Sequence, residues 1–81
     1  MSEDKIEHLK GLCVINITKH LMQRLNLNHE EAYKKILSSE TYRILMQTDS
    51  SLFLEDDNYL CKAIDTEIDS GKEKLYDMIS E

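Results

Sequence analysis

Apolar side chains recur at Ile6, Leu9, Cys13, Ile17, Leu21 and Leu25, steps of three and four that place them on one face of a helix. The spacing predicts a helix over about Ser2 to Leu25, the longest of the chain. Its centre, Leu12-Cys13-Val14-Ile15-Asn16-Ile17, is apolar nearly all round. Such a segment is either wrapped by other helices or keeps a second face for another subunit. The β-branched run would also permit a strand, but the same spacing continues through His20-Leu21-Met22 to Leu25, well beyond ordinary strand length.

Asn26-Leu27-Asn28 reads as a turn, and Asn28 with Glu31 has the spacing of a capping box. A second helix follows over about residues 29–38, with Ala32, Tyr33, Ile36 and Leu37 as its apolar stripe and Lys34 and Lys35 toward water. Ser38 or Ser39 can cap a third helix, about 40–47, whose stripe is Tyr42, Leu45 and Met46 with Thr41 beside it. Asp49-Ser50-Ser51 breaks the pattern and Leu52-Phe53-Leu54 supplies an apolar plug. Glu55-Asp56-Asp57 then places negative charge at the start of a fourth helix, about 57–69. Tyr59, Leu60, Ala63, Ile64 and Ile68 are its expected core face, with the acids on the other side. Gly71 can end that helix, and Ser70 with Glu73 can begin a short fifth one carrying Leu75, Tyr76 and Ile79.

The expected fold is therefore all-α: a single domain over residues 1–81, a small bundle of four to five helices in which one long N-terminal helix is packed by shorter ones. Composition agrees. The chain has no proline and two glycines, which removes the usual punctuation of a sheet-rich fold. It is 41% hydrophobic and 32% charged, as in folded rather than disordered chains. No apolar run is long enough to span a bilayer, and Met1-Ser2-Glu3-Asp4 lacks a secretion signal's pattern. A cytoplasmic location is expected, with Cys13 and Cys61 as reduced core residues.

Net charge is −6, and it is unevenly placed. Residues 1–40 carry six acids and six bases, whereas residues 41–81 carry ten acids and four bases. An acidic second half repels a phosphate backbone and suits a basic protein partner.

One family resemblance covers most of the chain, on the apolar first helix, the turn into Glu31-Ala32-Tyr33, Ile36-Leu37, Ile44-Leu45-Met46, Leu52, and Tyr59-Leu60-Cys61 leading to Ile64 and Ile68. In that order of features, from about Gly11 to Asp69, the chain resembles the uncharacterised bacterial domain-of-unknown-function family 3791. It departs from that family at Phe53-Leu54-Glu55-Asp56, where members carry a histidine-threonine-x-glycine turn. The resemblance implies a shared helical fold. Because the family's genes often neighbour an ADP-ribosyltransferase-like toxin gene, it also implies an accessory or antitoxin-like binding role.

Sites for chemistry are hard to build from these residues. His8, His20 and His29 never fall at the three- or four-residue spacing of paired helical ligands, and no Cys-x-x-Cys occurs, so no metal site is expected. Asp65 to Gly71 alternates acids like a calcium loop, but its glycine stands at the seventh place and Tyr76 at the twelfth. Two isolated glycines form neither an oxyanion turn nor a phosphate cradle. No cofactor, small-molecule substrate or catalytic residue is expected. The second and third helices could imitate a helix-turn-helix, yet they offer only Lys34, Lys35 and Arg43 as bases. Nucleic-acid binding is disfavoured.

What remains is a non-enzymatic protein-interaction module. It would be a homodimer through Leu12, Val14 and Ile15 of the first helix, or an adaptor whose Asp56, Asp57, Asp65, Glu67 and Asp69 engage a basic protein. An alternative is an antitoxin-like inhibitor whose clustered carboxylates stand in for phosphates at an enzyme's nucleic-acid or nucleotide site. A helix-turn-helix regulator is the lesser alternative.

Overall fold

Five α-helices occupy the described residues, 2–47 and 50–80 of the computed structural model: α1 Glu3–Leu25, α2 His29–Leu37, α3 Glu40–Met46, α4 Asp57–Ser70 and α5 Lys72–Ser80, with a 3₁₀ turn at Leu52–Leu54 before α4. No strand occurs among the described residues. Of the expected break at Asp49-Ser50-Ser51, Asp49 lies outside them.

Short polar side chains set the helix starts. Ser2, Asn28, Ser39 and Asp56 each accept a hydrogen bond from the backbone amide three residues on, satisfying a donor that the first turn leaves free. At α2 the capping box is complete: Glu31 N–H donates to Asn28 Oδ1 at 2.8 Å, and Asn28 N–H to Glu31 Oε1 at 3.2 Å. The ends are equally local. Asn26 closes α1 in the left-handed region, φ 54° and ψ 49°, a conformation its short polar side chain tolerates. Gly71 lies at φ +88° and donates to Glu67 C=O at 2.9 Å, so one residue ends α4 and turns the chain into α5.

The core collects from every helix: Ile17 and Leu21 of α1, Ala32 and Ile36 of α2, Leu45 of α3, Leu60, Ala63 and Ile64 of α4, and Leu75 of α5, closed at one end by Leu52 of the 3₁₀ turn. Buried positions on α1 run Lys10, Cys13, Val14, Ile17, Thr18 and Leu21, an arc wider than one stripe. At about 100° per residue these positions span roughly 140° of its circumference. Thr18 bonds back to Val14 C=O at 2.7 Å, which satisfies a hydroxyl held in the core. Lys10 is only 8% exposed; its ammonium donates to Gln47 C=O at 3.1 Å, beyond the end of α3, and sits 5.5 Å from the Phe53 ring centroid. A cation suits a helix C-terminus and an aromatic face alike.

Several stripe positions depart from expectation. Ile68, Tyr33, Leu37, Met46 and Tyr76 are exposed, although each was expected to pack inward. The short helices bury one row each, Ala32 and Ile36 on α2 and Thr41, Ile44 and Leu45 on α3, and flanking apolar residues stay at the rim.

Candidate interaction surface

Asn16, His20 and Arg24 form a polar row along α1, spaced by four, and α4 lies beside it. Asn16 Nδ2 donates to Asp57 at 2.9 Å. His20 Nε2 stands 2.9 Å from both Asp65 oxygens, which accept only, so this nitrogen carries the proton and donates. Arg24 Nη1 reaches Asp65 at 3.1 Å and Nη2 reaches Asp69 at 2.6 Å. The partners advance together along both helices, so α1 and α4 run in the same direction. The Asp69 hydrogen bond, with the charges of Asp65 and Asp69, pushes the Arg24 guanidinium above its ordinary pKa.

Glu67 points the other way. Its carboxylate accepts from the backbone amides of Glu40 and Thr41, both at 2.8 Å, and from Thr41 Oγ1 at 2.7 Å. A side chain of α4 thus caps α3. Asp56 is used locally, accepting from Tyr59 N–H at 2.8 Å as the cap of α4.

Asp56, Asp57, Asp65, Glu67 and Asp69 each hold a helix start or an interhelical contact, while Asp56, Asp57 and Asp69 stay exposed. The signal was present as matched spacing, His20 and Arg24 four apart opposite Asp65 and Asp69 four apart. Of the bases considered for DNA, Lys34 and Arg43 are paired within the chain, whereas Lys35 is exposed at the cleft beside Ile68. Lys34 pairs with Glu30 at 3.3 Å, and Arg43 pairs with Glu40 while donating to Tyr76 Oη at 2.8 Å. The bonds from Arg43 and then Tyr76 hold the Glu40 carboxyl below the ordinary glutamate pKa.

The apolar candidates divide. Val14 is 8% exposed and belongs to the core, which corrects its assignment to an outer face, whereas Leu12 and Ile15 are 43% and 49% exposed. At about 100° per residue, Ile15 lies roughly 140° around α1 from His20. It therefore faces away from α4. On α2, Lys35 lines a cleft of about 160 Å³ with Leu21, Ile64 and Ile68, so that flank faces α4. Tyr33 and Leu37 lie about 160° from Lys35 and face away from it. Because α2 packs against α1, the two averted flanks adjoin. Leu12, Ile15, Tyr33 and Leu37 make one outer apolar surface, with half-buried Met22 behind it.

Elsewhere the chemistry is sparse. A cleft of about 330 Å³ between α3, the 3₁₀ turn, α4 and α5 has Glu55 and Tyr59 as the ionisable groups of its lining. Among the described residues, no three His, Cys, Asp or Glu side chains converge as metal ligands. Burial pushes the Cys13 and Cys61 thiols up, and Cys13 Sγ donates to Phe53 C=O at 3.6 Å. No described helix is long and apolar enough to cross a membrane. Comparisons with protein families, with characterised proteins and with solved structures find nothing that matches this chain.

Proposed function

We propose that the protein is a non-enzymatic interaction module that docks through the outer flank of α1 and α2. The observation that carries this reading is the exposure of Leu12, Ile15, Tyr33 and Leu37, the last three turned away from α4. Four large apolar groups gathered on one side of a chain this small mark a surface that gains by being covered. The carboxylates on which an acidic adaptor or a phosphate-mimicking inhibitor would depend are bonded within the chain. That turns the proposal toward the apolar flank.

The test compares wild type with Ile15→Glu and Leu37→Glu, two exposed positions. Both variants should retain wild-type helicity and lose either self-association or the proteins that wild type retains from its own host's extract. Variants that keep every association of wild type would remove this reading.

A further inference from the structure

The cleft between α3, the 3₁₀ turn, α4 and α5 shares no lining residue with the apolar flank of α1 and α2, and it has the make-up of a small-ligand site. Its volume of about 330 Å³ falls at the lower end of the usual range for such sites, roughly 300–1,000 Å³. Ile44 and Leu52, both buried, and Ile79, half-buried, give it apolar walls.

Gln47, Ser51, Glu55 and Tyr59 complete the lining, and the fold engages these four through their backbones. Gln47 C=O accepts from Lys10 Nζ at 3.1 Å, and Ser51 C=O from Leu54 N–H at 3.0 Å. Glu55 N–H donates to Leu52 C=O at 3.1 Å, and Tyr59 N–H to Asp56. None of the four side chains hydrogen-bonds to another described residue. Elsewhere converging polar side chains are bonded to one another, as Glu67 is to Thr41 and Asp65 to His20 and Arg24. A few convergent polar groups over apolar walls, unused by the fold, are what a ligand site requires.

The lining also sets the ligand's chemistry. Glu55 is its one charged side chain and makes no ion pair among the described residues. Lys10 is held by Gln47 C=O and lies 5.5 Å from the Phe53 ring centroid, outside the lining. A chain of net charge −6 draws cations. The side-chain oxygens of Gln47, Ser51 and Tyr59 can accept hydrogen bonds, and a primary ammonium brings N–H groups to donate.

We propose that this cleft binds a primary alkylammonium ion, with its charge against Glu55 and its carbon chain along Ile44, Leu52 and Ile79. A free amine and the lysine side chain of a peptide present this same group.

The experiment follows amide and methyl chemical shifts of the whole chain as hexylammonium chloride is added. Hexanol serves as the neutral match and Nα-acetyl-lysine amide as the peptide form. Hexylammonium should saturate, moving Ile44, Leu52, Tyr59 and Ile79 while Leu12, Ile15, Tyr33 and Leu37 stay still. Hexanol should bind about fivefold more weakly, the scale of one partly exposed ion pair. Glu55→Gln should weaken hexylammonium by that factor and leave hexanol unchanged, with circular dichroism matching wild type because the Glu55 side chain bonds to nothing in the chain. Tighter binding of hexylammonium than of the lysine derivative supports a free amine, and the reverse order supports a peptide lysine. Equal affinity for hexanol and hexylammonium, or an affinity that Glu55→Gln does not change, overturns the ammonium ion as ligand. Shifts that never saturate, or that spread over the whole surface, overturn the site itself.

Discussion

Glu67 on α4 and Thr41 on α3 are joined twice: one carboxylate oxygen accepts both the amide and the hydroxyl of Thr41, at 2.8 and 2.7 Å. Thr41 is fully buried, so its donors have no water to fall back on. Glu67→Ala should therefore lower stability by about 2 kcal/mol, the usual scale for charge-assisted bonds to buried donors. Urea unfolding followed by circular dichroism measures this. Glu67→Lys should cost more and should reduce helicity as well, whereas a residue on a merely solvated acidic face would tolerate either change.

The Arg24 pairs with Asp65 and Asp69 lie at the surface, where water and salt screen them. Arg24→Gln should lower the Tm slightly at low ionic strength, and the difference from wild type should shrink in high salt. A deficit that salt does not change would mean that Arg24 acts through packing of its aliphatic stem.

Neighbours on α1 should respond oppositely to the same substitution. Val14→Glu places a charge among core side chains and should prevent stable folding, because an unpaired buried carboxylate is strongly unfavourable. Ile15→Glu, one residue on, should leave monomer stability within about 0.5 kcal/mol of wild type. Thermal melts of dilute samples test the pair.

Glu40 provides a pH signature. Its carboxyl is held low by Arg43 and Tyr76, so the folded state favours the ionised form. The stability this contributes is fully present above the unfolded value of about 4.3 and is lost as pH falls through the lower folded value. Wild type should therefore exceed Glu40→Gln at neutral pH, with the gap closing under acid. Tyr76→Phe removes one donor, and the carbon-13 titration of Glu40 should move up toward the ordinary glutamate range.

Much of the architecture was legible because its determinants are local. Asn28 with Glu31, Ser39, Asp56 and Gly71 each act within a few residues of their own position, and the apolar spacing of α1 and α4 survives whatever surrounds it. The candidate surface was less legible, for a physical reason. Whether Asp65 or Asp69 is free depends on His20 and Arg24, more than 40 residues earlier, and whether Val14 is buried depends on how far the other helices wrap α1. Spacing places a residue on a helix face without saying what faces it. Leu12 and Ile15 kept their expected exposure because they lie opposite the centre of the wrapped arc, and Tyr33 and Leu37 joined them because a nine-residue helix buries only its middle row.

The covered flank is most directly tested by amide chemical shifts recorded as the protein is concentrated from dilute solution. Shifts should move at Leu12 and Ile15 of α1 and at Tyr33 and Leu37 of α2, with α4 and α5 unchanged. Movement confined to α4 and α5 would contradict the assignment of the interaction surface to the outer flank of α1 and α2.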